Sequence, residues 1–116
     1  LDVSIVQPVD SIDDLNIERT DLLINTTSIG LKANDPGLIE ENLLHKDLLV
    51  YDVIYNPTET PLLKMAKKKG AKVSNGLGML FYQGILAFQH WSEAELDEDV
   101  KVIMRVNLQK ASLGKK

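Results

Sequence analysis

Four short segments carry side chains able to hold or convert a small polar molecule. Asn25-Thr26-Thr27-Ser28-Ile29-Gly30 places three hydroxyls and an amide at the end of an apolar run, where they can hydrogen-bond a ligand or cap a turn. Tyr55 closes a second apolar run just before Asn56-Pro57, so its phenol either projects into a cleft or packs. Asn75-Gly76-Leu77-Gly78 joins a short strand pattern to a helical one, and its two glycines allow close backbone approach or simply a tight turn. The residue three after Gly78 is Phe81, so the G-x-G-x-x-G cradle for a pyrophosphate is absent. Gln83 is the odd member of an otherwise apolar stripe, and its amide costs free energy unless backbone, water or a polar ligand satisfies it.

Other chemistry finds little footing. His45 and His90 have no partner at metal-ligand spacing and read as surface or packing residues, so no metal is expected. The acidic run Glu93, Glu95, Asp97, Glu98, Asp99 lacks the glycine and spacing of a calcium loop and suits a helix N-terminus. Lys67, Lys68 and Lys69 read as a solvated helix end. The chain has no Cys, which removes disulfides and thiolate metal sites, and no Ser-His-Asp arrangement can be argued.

These residues need elements to place them. Val3 to Val6, Asp21 to Thr26, Asp47 to Tyr55 and Ala71 to Ser74 read as strands, the third apolar enough to lie at the centre of a parallel sheet. Ser11 to Asp14 has the spacing of a helix start, and Leu38 to His45 reads as a short helix. Ser28 to Gly37 reads as a loop. Thr60 as cap, Pro61 at the first helical position, a Leu62, Leu63, Ala66 stripe and lysines before Gly70 specify a complete helix. Gly78 to Trp91 is a helix with two stripes, one through Leu77, Leu80, Phe81, Gly84, Phe88 and Trp91, the other through Met79, Gln83, Leu86 and His90. Such a helix is covered on both sides, by a second domain or by a ligand. A last helix spans Asp97 to about Leu113. The alternation predicts an α/β fold with a parallel sheet.

Length and charge set the outer limits. At 116 residues, 44% hydrophobic and 26% charged, the chain has the make-up of one ordinary globular domain. The first 58 residues carry 3 basic and 11 acidic side chains, the rest 10 and 6, and only Arg19 and Arg105 are arginines. That balance gives no concentrated basic face, which argues against general nucleic-acid binding. No stretch approaches 18 apolar residues and no signal peptide is visible, so neither membrane insertion nor export is expected and a cytoplasmic protein is the default. The first Met is Met65, and a chain opening at Leu1 reads as part of a longer one.

Taken in order, these pieces resemble the C-terminal part of a shikimate dehydrogenase. The matching residues are Asn25 to Gly30, Asp52-Val-Ile-Tyr55-Asn-Pro57 through Leu63, Gly76-Leu-Gly-Met-Leu80 with Gln83, and Ala87, Phe88 and Trp91. Thr26 stands where the family commonly has Ala, and Val53 where Met is frequent. The resemblance implies the second half of a Rossmann-like NADP-binding domain over residues 1–92. It implies a C-terminal helix over 93–116, packed on that domain or on the N-terminal one. It further implies NADPH-dependent reduction of 3-dehydroshikimate to shikimate in aromatic amino-acid biosynthesis. Val53 and Gly76 would border the nicotinamide and its ribose, Thr26, Thr27 and Ser28 would lie near the cofactor, and Met79 would form part of the floor between cofactor and substrate. Tyr55 would bind the substrate carboxylate and Gln83 a ring hydroxyl. The Lys and Asp that handle the proton, the glycine-rich phosphate loop and the Arg that reads the 2′-phosphate would lie upstream of Leu1. The chain alone would then be inactive, and an exposed sheet edge would make it self-associate. A quinate- or NAD-using relative, or a non-catalytic binding module keeping the half-fold, are the alternatives.

Overall fold

The computed structural model describes residues 5–114. Its centre is a three-stranded parallel sheet in the order β1 (Leu22–Asn25), β2 (Leu49–Asp52), β3 (Lys72–Asn75). The register sets Leu23, Val50 and Val73 side by side, and Asn25, Asp52 and Asn75 at the carboxyl ends. The apolar run expected at the sheet centre does lie there. It is shorter than Asp47 to Tyr55, because Asp52 turns its carboxylate onto the Ile54 N–H and ends the strand.

Helix α1 (Pro61–Lys68) forms as its local signals dictate: Thr60 Oγ1 accepts the Leu63 N–H at 3.3 Å, Pro61 fills the first position, and Gly70 at φ 81° supplies the left-handed exit. It packs on one sheet face, closing a core of Ile17, Ile39, Leu44, Leu48, Val50, Leu62, Leu63, Ala66 and Ala71. The opposite face is uncovered among the described residues: Leu22, Ile24 and Leu49 are all exposed.

Helices α2 (Leu77–Ser92) and α3 (Glu98–Gly114) form a hairpin beyond β3. They run antiparallel, Leu77 and Phe81 meeting Arg105 and Leu108, Gln89 meeting Lys101. Arg105 fastens the pair, its guanidinium 4.7 Å from the Phe81 ring centroid and donating to the Tyr82 hydroxyl at 3.1 Å. Only Phe81 and Ile85 of α2 are buried, and none of α3, so this chain's own elements cover the two-striped helix on one side. The radius of gyration, 16.9 Å, exceeds the roughly 13 Å of a compact chain this long.

One short helical expectation is corrected and another is met. Leu38 to His45 holds only a 3-10 turn, Glu41–Leu43, because the backbone is extended at Glu40 and Leu44 on either side of it, and Ile39 and Leu44 reach the core from there. Ser11 caps a single turn, Ile12–Asp14, of 3-10 form, about as much helix as fits before Thr20. The strand expected over Val3 to Val6 falls half outside the described residues, and Ile5 and Val6 join no strand.

Candidate active site

Each strand ends in a short polar side chain, and those of Asn25 and Asp52 share one hydrogen-bond system with Thr60. Asn25 and Asp52 are fully buried, as is Thr60 at the start of α1. The Asn25 amide donates to Asp52 Oδ1 at 3.2 Å and to the Ile29 carbonyl at 3.1 Å, while its oxygen accepts the Thr27 N–H and hydroxyl. Asp52 Oδ1 also accepts the Ile54 N–H at 3.1 Å, and Oδ2 accepts the Thr60 hydroxyl at 2.7 Å. Asn75 repeats the device, donating to Thr58 O and accepting the Leu77 N–H. The loops after all three strands are therefore tied to the strand ends, where open α/β sheets hold their ligands.

The loop Ser28 to Gly37 has a second clamp. Asp35 Oδ2 accepts the N–H groups of Gly30 and Lys32 at 2.8 and 3.0 Å, and these hydrogen bonds hold its carboxyl below the usual carboxylate range. Gly30, at φ 112°, takes a conformation side chains rarely adopt.

Val53 and Gly76 are brought together. A Cβ on Gly76 would stand 1.8 Å from the Val53 carbonyl oxygen, and the Gly76 N–H donates to Ile54 O at 3.1 Å. The glycine is required by this backbone contact rather than by its φ of -76°. Thr26, Thr27 and Ser28 are exposed just past β1. Met79 is 51% exposed on the first turn of α2. Tyr55, 41% exposed, lines a cleft of about 230 Å³ with Asn56, Leu77 and, from α3, Leu108, Ala111 and Ser112. Gln83 lies in the neighbouring hollow with Leu80, Phe81, Gly84, Met104 and Leu108, its amide donating to Leu80 O. The two side chains thus line adjacent clefts that meet at Leu108. His45 Nε2 donates to Ile17 O at 3.2 Å, a packing role. Among the described residues, no three His, Asp or Glu side chains gather as a metal site, and no helix is long and apolar enough to cross a membrane.

Sequence reasoning missed Asp52, Thr60 as more than a cap, and Asn75. The available signal was a carboxylate inside the most apolar run of the chain, which must find donors if buried.

A family model described as the shikimate 5'-dehydrogenase C-terminal domain matches residues 76–105. The NADP(+) shikimate dehydrogenase of Aquifex aeolicus is 48% identical over 84 residues, 72% of this chain and 30% of that one. That of Methanocaldococcus jannaschii is 46% identical over 90 residues, covering 75% and 32%. What the chain matches is the C-terminal part of shikimate dehydrogenases. A solved shikimate dehydrogenase in complex with NADP+ superposes with a TM-score of 0.69 at 42% identity, over 81% of this chain and 33% of that one. The fold is accordingly Rossmann-like, and the chain spans about a third of the length of the shikimate dehydrogenases it matches.

Proposed function

We propose that this chain forms the C-terminal part of an NADP-dependent shikimate dehydrogenase, which interconverts shikimate and 3-dehydroshikimate in aromatic amino-acid biosynthesis. Residues 1–92 serve as the second half of the cofactor domain and 93–116 as its C-terminal helix. The observation that carries the reading is the backbone contact between Val53 and Gly76 at the strand ends, with Tyr55 two residues beyond Val53. That surface suits a nicotinamide ring and ribose: Gly76 adds no side chain, Met79 offers exposed apolar surface, and Thr26, Thr27 and Ser28 present hydroxyls beyond the neighbouring strand. When bound, NADP accepts or returns the hydride. The chain's own residues bind and orient: the Tyr55 phenol donates to the substrate carboxylate, and Gln83 holds a ring hydroxyl after releasing Leu80 O. The Lys and Asp that move the proton belong to the N-terminal substrate domain, so the chain alone is inactive. A phosphorylated dinucleotide and a polyol acid are charged, water-borne molecules, which supports a cytoplasmic setting.

The test is shikimate-dependent NADPH formation by the full-length enzyme. A lost hydrogen bond to a charged group costs about 1.5–3 kcal/mol, so Tyr55→Phe raises the shikimate KM by roughly 10- to 100-fold. Gln83→Ala, losing a neutral contact worth about 1 kcal/mol, raises it about fivefold. Wild-type KM and kcat in both variants would end the proposal.

A further inference from the structure

Asp52 is unlike the other acidic side chains: it is fully buried, and its described hydrogen-bond partners are three donors, with no cation among them. A carboxylate placed so is costly, and it persists only where several donors converge on it. Here two of the donors come from the ends of one loop and the third from the neighbouring strand. The Ile54 N–H begins the loop after β2, the Thr60 hydroxyl ends that loop, and the Asn25 amide belongs to the strand end that holds Thr27 and Ile29. One carboxylate therefore fixes both ends of the loop on which Tyr55 sits, directly after the pinned Ile54.

We propose that Asp52 is a positioning residue for substrate binding, acting through Tyr55. The inference rests on the reading of Tyr55 as a substrate ligand. The Tyr55 side chain is 41% exposed and none of the described hydrogen bonds holds its hydroxyl, so its placement depends on the backbone beneath it. That backbone is tied by the Ile54 N–H on one side and by Thr60 on the other. An amide cannot replace the carboxylate without loss. An amide nitrogen only donates, and turned toward Thr60 it would leave the Thr60 hydroxyl proton without the oxygen to which it now donates. Turned the other way, it would face the Asn25 amide and the Ile54 N–H, both donors.

The experiment is a double-variant cycle in the full-length enzyme, with shikimate KM, kcat and melting temperature measured for Asp52→Asn, Tyr55→Phe and the pair. Asp52→Asn should raise KM by about tenfold with kcat changed less, and in the Tyr55→Phe background that rise should vanish. Loss of melting temperature should persist in both backgrounds, separating positioning from stability. Thr60→Ser and Thr60→Val supply the same comparison without touching the carboxylate. The serine variant should keep the wild-type KM, and the valine variant should raise it only when Tyr55 is present. If Asp52→Asn or Thr60→Val multiplies the KM already raised by Tyr55→Phe, the positioning role is wrong while the substrate reading stands. If Tyr55→Phe alone leaves KM unchanged, both are wrong.

Discussion

Replacing Gly76 by alanine tests whether the ends of β2 and β3 are held together as tightly as the structure shows. The new methyl carbon would lie 1.8 Å from the Val53 carbonyl oxygen and 2.5 Å from its carbon, against about 3.4 Å where ordinary contact begins. Both obstacles are backbone, so no rotamer change relieves the overlap, and α2 must move away from Val53. Overpacking of this kind costs about 1–3 kcal/mol, here toward the upper end. The separation also strains the 3.1 Å hydrogen bond from Gly76 N–H to Ile54 O, worth about 1 kcal/mol. A total near 3 kcal/mol lowers the melting temperature of a protein a few hundred residues long by roughly 6–12 °C. Gly78, two residues on, is the internal control. Nothing lies within 4 Å of a Cβ built there, so Gly78→Ala should melt at or slightly above the wild-type temperature, as alanine is the better helix former by about 1 kcal/mol. Thermal melts by circular dichroism, with NADP+ affinity by titration calorimetry, read both effects. Gly76→Ala should lose both stability and affinity, Gly78→Ala neither. Equal melting of Gly76→Ala and wild type, or equal losses in both variants, would refute the close-approach argument.

The Asp35 clamp carries a pH dependence of defined sign. Its carboxyl is held below the ordinary value by the Lys32 and Gly30 N–H groups, so its contribution is present at neutral pH and fades as the pH falls below about 4. The protection of the Gly30 and Lys32 amides against hydrogen exchange, taken relative to the intrinsic rate at each pH, should therefore fall in acid in the wild type, while Asp35→Asn should show the lower protection already at neutral pH. Unchanged protection across that range would remove the clamp. The uncovered sheet face makes a separate prediction for the 116-residue chain on its own. Its surface, 8768 Å², exceeds the roughly 6300 Å² of a compact monomer of this mass, and Ile24 is 51% exposed on edge strand β1. Sedimentation velocity should show concentration-dependent association that Ile24→Lys suppresses, and a clean monomer at high concentration would overturn it.

Local signals were the most legible part of the sequence. Thr60, Pro61 and Gly70 each act on groups within one helical turn, so the start and stop of α1 follow from residue type alone. The short helix expected over Leu38 to His45 fails because its apolar spacing is satisfied differently: Ile39 and Leu44 reach the core from either side of a single 3-10 turn. Periodicity reports which side chains are buried, not which backbone conformation buries them.

The candidate site shows the complementary limit. Tyr55 and Gln83 were singled out because a phenol at a strand end and an amide in an apolar stripe are conspicuous on their own. Asp52 was not: a carboxylate inside an apolar run signals that donors must meet it, but which donors do so is set by the fold, Asn25 lying 27 positions before it and becoming its neighbour through the β1–β2 register. A parallel sheet whose strands end in register converts residues scattered over 50 positions, from Asn25 to Asn75, into one row. Each member of that row spends its hydrogen bonds on the loop that follows its own strand. Ligand-binding side chains can then sit on loops, free to vary, while the geometry that aims them resides in the buried row beneath. On the proposed reading, the residues deciding affinity lie on loops such as Asn25 to Gly30, whereas those deciding its precision are the polar strand ends that hydropathy patterns treat as interruptions.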